Sequence, residues 1–369
     1  MRVAMRRFIR GCQLGLALSI ALCWTRTVGS LEPPRPDTTQ KLRFGFVALH
    51  GGMFEILKAF SQPQNLDLVY YSDEEIRAGK TDFASCDIVF LQHLRAELKE
   101  QYIAALDTAK QKNPHFQALT CSREADANAT TLMPNQTRNG LIVNDPQVVK
   151  YYGFNKTNLG RLLGYVAVKY GRRPGAVEPP LEDTPPLVYH PGHEPFPDVA
   201  SFLKWIGDRD PSLLKRDRVL VMAHANHLIF QEPEVVNALI REFEKKGALA
   251  LCVTDPVPDF EKRQFDFAPD LVVHTCHGSE TPENRLKMDV PHISALYSKA
   301  VSTENYLTNV TGMAAGEIQH QITSQELKGT VEPLFAGAAP HGGGGDEAIM
   351  PVAERIEHIV ARGLALIRL

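Results

Sequence analysis

Three short stretches of the sequence place histidine beside other side chains that bind metals or donate hydrogen bonds. They are residues 189–194 with His190, residues 224–227 with Asn226 and His227, and residues 274–277 with His274, Cys276 and His277. Imidazole nitrogens and thiolate sulfurs are ligands that zinc, cobalt and haem iron take from proteins. The sequence therefore offers donors for a soft metal ion, although no stretch has the ligand spacing of an established zinc motif.

The first two stretches differ in where they fall along the chain. Two histidines alone complete no metal site, so a turn fixed by His190 is favoured over metal ligation in residues 189–194. Residues 224–227 end a predicted strand, and ligands of open parallel sheets bind beyond the carboxyl ends of the strands. Ligand binding by Asn226 and His227 and a loop-capping role are equally consistent with this placement.

The third stretch also follows a predicted strand. Alternation along a strand would put His274 and Cys276 on one face, with His277 free only where the strand has ended. A Cys/His pair there could hold zinc, cobalt or a haem iron. A buried cysteine beside surface histidines is the favoured alternative. Cys276 and Cys252 could also face each other across neighbouring strands, as a disulfide or as two buried thiols.

Charge and motifs exclude several function classes. The formal net charge of -3 gives no electrostatic basis for nucleic-acid binding. The glycines of residues 342–345 lack the Lys-Ser/Thr of a phosphate-binding loop. The sequence contains neither the Gly-x-Ser-x-Gly elbow of a hydrolase nor a His-Glu-x-x-His zinc helix. The residue chemistry alone therefore names no reaction.

Strand-like and helical patterns alternate along two parts of the chain. We predict strands at 42–49, 67–72, 86–92 and 116–121, with helices at 53–60 and 96–110. A second series has strands at 218–224, 248–253, 271–275 and 291–296, with helices at 233–246 and 353–368. The strands are almost continuously apolar, which is typical of a parallel sheet covered on both faces.

The residues between these two parts have a different character. Residues 145–152 and 159–170 have helical patterns, and residues 172–197 are too rich in proline for a helix or a central strand. We therefore predict an α/β protein with two three-layer parallel-sheet units, of the flavodoxin- or Rossmann-like kind. The predicted domains are 42–135 and 201–369, and residues 136–200 form a helical segment and Pro-rich connector.

The first thirty residues have the layout of a secretory signal peptide. Four arginines up to Arg10 precede an apolar run at 14–24, and small residues at 28–30 offer a cleavage point. The run is short for a transmembrane helix. We predict a signal peptide at 1–30, a linker at 31–41 and a periplasmic or secreted location, with a membrane-anchored chain as the alternative.

An ordered series of landmarks resembles the CobN / magnesium chelatase family of chelatase large subunits, most strongly after residue 187. The series comprises Tyr-His-Pro at 189–191, the strand and loop at 218–227, Val-Val-Asn-Ala-Leu-Ile at 235–240, Glu-Lys-Lys-Gly at 244–247, Val-Pro at 290–291, and the stretches 312–317 and 326–333. Residues 42–125 are compatible with the family's first α/β domain. Gln325, Lys328 and Asn226 depart from the family pattern, which indicates a divergent branch.

The resemblance implies ATP-dependent insertion of cobalt or magnesium into a tetrapyrrole, with ATP used only through AAA+ partner subunits. Such a large subunit must bind a flat apolar ring and supply a base for the pyrrole protons. Export would separate the chain from ATP and from AAA+ partners, which favours tetrapyrrole or metal binding, or removal of iron from haem. Family members are several times longer, so the resemblance is to an N-terminal portion, with the remaining large-subunit chain as a partner.

The resemblance and the residue chemistry of the three stretches together indicate which residues to test. We expect His190, Asn226 and His227 to contact a tetrapyrrole and His274, Cys276 and His277 to contact the metal, while the catalytic residues stay unassigned. The alternative function is a periplasmic module that binds haem, a corrinoid or a metal without catalysis, and a third is a structural remnant that binds no ligand.

Overall fold

The computed structural model describes residues 41–278, 280–308, 313, 315–341 and 346–369. The predicted signal peptide, all but the last residue of the predicted linker and the glycine run at 342–345 lie outside these residues. Among the described residues, no helix combines the length and the apolar character that crossing a bilayer requires.

The first sheet is parallel throughout, in the strand order β2-β1-β3-β4-β5. Its part of the chain contains β1 (Leu42–Val47), α1 (Gly51–Ser61), β2 (Leu66–Tyr71), α2 (Asp73–Arg77), β3 (Ile88–Leu91), α3 (Lys99–Lys112), β4 (Gln117–Thr120), α4 (Arg123–Leu132), α5 (Pro134–Arg138), β5 (Ile142–Val143), α6 (Pro146–Tyr151) and α7 (Lys156–Lys169). Phe44 and Phe46 point towards α1 and α7, whereas Val47 and Val89 point towards α3. Both faces are buried, which explains the continuously apolar strands.

The second sheet has the strand order β12-β11-β10-β9-β7-β8-β6, and only its two edge strands run antiparallel. It is built from β6 (Val188–Tyr189), α8 (Val199–Arg209), β7 (Arg218–His224), α9 (Ala225–Phe230), α10 (Pro233–Lys245), β8 (Leu249–Asp255), α11 (Phe260–Phe267), β9 (Leu271–His274), α12 (Pro282–Met288), β10 (His292–Ser302), α13 (Thr303–Thr308), α14 (Ala315–Ile318), α15 (Ser324–Glu326), β11 (Val331–Ala339), β12 (Met350–Pro351) and α16 (Ala353–Ile367). α10 and α16 cover one face, and α8 and α11 cover the other.

The predicted fold class is confirmed, but the second sheet differs from the prediction in β10, in β11 and in its two antiparallel edge strands, β6 and β12, which were not predicted. β10 has 11 residues, where a short strand at 291–296 was predicted. β11 was not predicted, because Pro333 interrupts its apolar pattern. β12 pairs only with Gly337 and Ala338 of β11, so Pro333 lies on a stretch that is open on one side and needs no backbone donor there. The Pro-rich residues 172–197 contain only the two-residue strand β6, which was not predicted.

The four described cysteines, Cys86, Cys121, Cys252 and Cys276, are buried free thiols. Of the two states considered for Cys252 and Cys276, the structure therefore shows the thiols and not the disulfide. Residues 39–369 form one compact unit that contains both sheets. The domain boundaries predicted within it stay predictions.

The two sheets are joined where α9 packs against α1. Phe230 of α9 belongs to the hydrophobic core of the first sheet, and the Gln231 side chain accepts a hydrogen bond from the Gly51 backbone at 3.3 Å. A Cβ atom on Gly52 would lie 2.1 Å from the Phe230 carbonyl oxygen, and one on Gly51 would lie 2.1 Å from that of Glu347. Only glycine permits this close backbone approach.

We expect Gly52→Ala to lower the free energy of unfolding by about 2–3 kcal/mol, because the added methyl group must displace backbone at the joint. Gly164→Ala is the matched control, since a Cβ there meets only the flexible end of Gln64 in the middle of α7. The control should be neutral or stabilising by up to about 1 kcal/mol. Urea denaturation of both variants measures the difference, and equal stabilities would show that the joint tolerates expansion.

Candidate functional site

Five histidines from both sheets lie in one continuous row. In the order His93, His50, His227, His224 and His277, the centroids of neighbouring rings are 5.0, 4.9, 5.0 and 4.3 Å apart. A sixth ring, that of His320, lies 6.0 Å beyond His277. His277 and His320 are exposed, whereas His50 and His224 are buried. The five histidines, called here the imidazole row, therefore lead from the surface into the protein.

The members of the row lie at the carboxyl ends of parallel strands. His50 and His93 follow β1 and β3 of the first sheet, His224 is the last residue of β7, and His277 follows β9. His227 lies in α9, which begins directly after β7. Because α9 packs against α1, the carboxyl edges of the two sheets meet at the row. This is the edge where open α/β sheets bind their ligands.

Hydrogen bonds fix the orientation of four rings in the row. The pairs are His93 Nδ1 with the Ala48 carbonyl at 2.9 Å, His50 Nε2 with Asn226 Nδ2 at 2.9 Å, His227 Nδ1 with the Tyr297 hydroxyl at 3.0 Å, and His224 Nδ1 with the Asp255 carbonyl at 3.0 Å. A carbonyl oxygen only accepts, so His93 and His224 donate from Nδ1. In the neutral ring, Nε2 then carries the lone pair. In His224 this atom has no hydrogen-bond partner among the described residues.

The environment keeps the row uncharged. Burial holds the pKa of His50 and of His227 well below the usual value, and it also lowers the pKa of His93 and of His224. Burial together with the neighbouring His224 lowers the pKa of His277 to about 4. All five imidazoles are therefore neutral at pH 7, and a neutral imidazole is the form that ligates metals.

A carboxyl group lies beside the middle of the row. Glu232 has no exposed surface, and its Oε2 is 3.6 Å from His227 Nδ1. The Thr275 hydroxyl lies 3.0 Å from Oε1. Burial raises the pKa of Glu232 to about 8, although the Lys299 ammonium opposes the shift. At pH 7 this carboxyl group holds a proton, which it can exchange near neutral pH.

A sulfur and a second carboxylate lie beside the outer part of the row. Ligand atoms of His224, Asp255 and Cys276 all lie within 4.8 Å of one another, and the three side chains are buried. Burial raises the pKa of the Cys276 thiol well above its usual value, so this sulfur becomes a thiolate only with a cation beside it. Nitrogen, oxygen and sulfur donors together suit zinc, cobalt or iron(II) better than magnesium.

Comparison with known proteins identifies the family. A family model described as CobN/Magnesium Chelatase matches residues 150–369, which is more than half of the chain. The chain belongs to the CobN/magnesium chelatase family. The resemblance inferred from the ordered landmarks is thereby confirmed. No curated protein sequence matches this chain.

One solved structure of the family has a similar fold. The catalytic subunit of cobaltochelatase from Mycobacterium tuberculosis superposes with a TM-score of 0.53 at 16% identity, over 89% of this chain and 27% of that chain. The chain thus spans just over a quarter of that chelatase subunit. A D-isomer specific 2-hydroxyacid dehydrogenase from Lactobacillus delbrueckii ssp. bulgaricus gives a TM-score of only 0.25 at 10% identity, over 88% of this chain and 95% of that chain. That score is too low for a structural argument.

The structure brings together some of the residues predicted for chelatase chemistry and separates others. Asn226 and His227 lie beside and within the imidazole row. His190 does not join them, because its imidazole binds Glu244 at 2.9 Å near the end of α10 and packs on Trp205. β6, which precedes His190, runs antiparallel to β8, so it ends towards the opposite edge of the sheet.

The three residues predicted for the metal fall into two groups. β9 ends at His274, so the alternation expected to align His274 with Cys276 does not continue. His274 is buried and binds His292. Cys276 instead lies beside His224, whose ring is also 4.3 Å from that of the exposed His277. Whether either group binds a metal or a tetrapyrrole stays a prediction.

Sequence reasoning missed His50, His93, Glu232 and Asp255. His50 and His93 could have been found, because both follow strands that were predicted correctly. Ligands bind beyond the carboxyl ends of parallel strands, and this rule, which pointed to His227, applies equally to them. Asp255 also follows a predicted strand. Glu232 had no such signal, since it lies between α9 and α10, and its partners, Thr275 just after β9 and Tyr297 of β10, are distant in the sequence.

A separate open groove of about 780 Å³ runs beside the connector. Its lining is mostly apolar and includes Phe154, Pro186, Phe196, Leu228 and Ile229. No member of the imidazole row lines it, although Leu228 and Ile229 belong to the same helix as His227.

Proposed function

We propose that the chain is a metal-handling module of a tetrapyrrole chelatase large subunit, in which the imidazole row carries the divalent ion that enters or leaves the macrocycle. The observation that carries this proposal is the row itself, a continuous series of neutral imidazoles from the exposed His277 to the buried His50. Family membership supplies the reaction class, and the row supplies the means for this chain to take part in it.

The chemistry of the row favours cobalt or iron(II) as the ion. Magnesium prefers oxygen ligands and gives up its waters reluctantly, whereas imidazole suits the later transition metals. We propose that an ion keeps one nitrogen ligand as it gains the next, because the centroids of neighbouring rings are only 4.3 to 5.0 Å apart. Asp255 and Cys276 add anionic donors where the row approaches the surface, which offsets the lost hydration.

The protonation state of Glu232 favours removal of the ion at neutral pH. A tetrapyrrole that loses a divalent ion must gain two protons, of which a carboxyl group with a pKa of about 8 can give one at pH 7 and solvent must supply the other. Insertion requires the reverse transfer and is favoured at higher pH. We propose that the tetrapyrrole is bound jointly with the rest of the large subunit.

The export that we propose for this chain is compatible with removal of the ion from the tetrapyrrole. The resemblance implies insertion powered by AAA+ partners, which use ATP. We propose, from the signal-like residues 1–30, that the chain works in the periplasm or is secreted. In that location, removal of a metal without ATP is the compatible reaction. The alternative is a module that binds haem or a corrinoid and leaves the metal in place.

Titration of the protein with Co²⁺ and with haem tests the proposal. We expect Co²⁺ to produce ligand-field absorption, and His224→Ala to weaken the affinity by about tenfold or more, since it removes a buried row nitrogen that has no hydrogen-bond partner in the described structure. His358→Ala is the matched control, because His358 is exposed on α16. It should bind Co²⁺ like the unaltered protein.

The outcomes separate the two functions. Loss of iron from haem, with recovery of the free porphyrin spectrum when the rest of the large subunit is present, supports metal transfer. A Soret shift that never progresses to iron loss supports the binding module and rejects transfer. Absence of Co²⁺ absorption, or equal affinity of the His224→Ala and His358→Ala variants, rejects the row as a metal path.

A further inference from the structure

A second group of potential ligands lies on the sheet face that α11 and α12 cover. His274 is the last residue of β9, His292 is the first residue of β10, and Glu280 lies in the loop that leads to α12. His274 Nε2 is 2.9 Å from His292 Nδ1, and Glu280 Oε1 is 3.6 Å from the former and 4.0 Å from the latter. None of these residues belongs to the imidazole row.

The strand register explains why the two histidines meet. β9 and β10 are parallel neighbours in which His274 pairs with Ser294 and His292 pairs with Val272. His274 and His292 therefore lie diagonally on the same face of the sheet. The core of this face contains Met222, Val272 and Phe267, and the register also places the buried Ser294 on it. Two imidazoles and a carboxyl group in such surroundings require strong polar partners.

The spacing of the three atoms fits a metal ion. In the plane of His274 Nε2, His292 Nδ1 and Glu280 Oε1, the point equidistant from the three atoms lies about 2.1 Å from each. This is the length of zinc–imidazole and zinc–carboxylate bonds. Glu280 Oε2 has no hydrogen-bond partner among the described residues. A bidentate carboxylate would therefore complete four donor atoms, the number that structural zinc sites use.

We propose that His274, His292 and Glu280 bind one Zn²⁺ ion that joins β9, β10 and the loop before α12. The three residues are only 1%, 4% and 2% exposed, so the ion is closed off from solvent, as in structural zinc sites. When the ion enters, the hydrogen bond between the two imidazoles is replaced by two bonds to zinc, and the proton between the rings moves to the other nitrogen of its own ring.

Arg285 of α12 orients the carboxylate for this role. Its Nε donates to Glu280 Oε1 at 3.2 Å, and its Nη2 donates to Gln325 Oε1 at 2.6 Å. Metal-bound carboxylates commonly have such an outer hydrogen bond. Asp255 is close enough to contribute to the raised pKa of Glu280, after the larger effect of burial. The negative charge of Asp255 partly balances the positive charge of the added ion.

The site is tested in a protein whose imidazole row is interrupted. A His224→Ala, His227→Ala background removes two neighbouring members of the row, and locating the bound ion separates this site from the remaining row histidines, so the result does not depend on the proposed function. After removal of metals and reloading with Zn²⁺, this protein should keep one zinc per chain through gel filtration. It should also melt at a higher temperature than its metal-free form. Anomalous scattering at the zinc edge should place the ion between the three side chains.

Two variants in this background decide the assignment. Glu280→Gln keeps the size of the side chain and should lower zinc affinity by about tenfold or more, and His292→Ala should abolish retention. His358→Ala is the control and should retain zinc. If His292→Ala fails to fold, Glu280→Gln carries the test. Full zinc retention by a folded Glu280→Gln protein with unchanged affinity, or no zinc in the background protein, overturns the proposal.

Discussion

The affinity of the imidazole row for Co²⁺ should rise about tenfold per pH unit between about pH 6 and pH 8 and then level off. The reason is Glu232, which burial keeps protonated up to a pKa of about 8. An ion beside His227 favours the carboxylate, so each ion bound below that pH releases one proton. The row histidines do not contribute in this range, because their pKa values are lowered.

Calorimetry in buffers of different ionisation enthalpy measures the proton released. Glu232→Gln keeps the shape of the side chain and cannot ionise, so its affinity should be independent of pH over the same range. Proton release from the Cys276 thiol is distinguishable, because its pKa lies well above the usual value. A thiol contribution would make the affinity rise further above pH 8. The same slope in the Glu232→Gln protein would exclude Glu232 as the group that titrates.

Asp145→Ala should lower the free energy of unfolding at pH 7 by about 3 kcal/mol, because one buried carboxylate holds α6 to α7. Asp145 Oδ2 accepts hydrogen bonds from Tyr165 at 2.6 Å, Tyr170 at 2.9 Å and Lys169 at 2.9 Å. Lys169 is half exposed and its ion pair adds little, so most of the loss comes from the two hydroxyls.

The contribution of Asp145 should depend on pH. Burial alone would raise the pKa of Asp145, but the hydrogen bonds from Tyr165, Lys169 and the backbone outweigh it and lower the pKa. A lowered pKa means stability that is complete above about pH 4, the unfolded value, and is lost as the pH falls through the folded value. Asp145→Asn should lose this dependence while keeping part of the stability. Urea denaturation of the three proteins at neutral and acidic pH measures it, and parallel pH profiles would contradict the assignment.

The sequence predicted those helices and strands whose conformation depends mainly on their own residues. β7 has the bounds predicted for it, because an apolar run between Asp217 and the polar residues after His224 allows little else. β11 was not predicted, since Pro333 and a run of alanine and glycine do not form a strand pattern. Its extended conformation depends on pairing with β10.

The site was predictable only within each element. The rule of strand ends pointed to His224 and His227, but no local pattern connects them to His50, which is 176 residues from Asn226. His190 shows the converse. Its stretch resembles a ligand loop, yet the antiparallel direction of β6 carries it to the other edge. Strand direction is set by tertiary pairing, which local composition does not encode.

The joint between the sheets has a consequence for how the protein can fail. His50 and His93 come from the first sheet, and His224, His227 and His277 come from the second. The row therefore exists only while Gly51 and Gly52 lie against α9 and Glu347. A chain that is cleaved, incompletely synthesised or misassembled at this joint has two separate groups of histidines instead of one continuous row. If the row carries an ion as proposed, the transfer is all-or-none, because an incompletely assembled molecule lacks the continuous row.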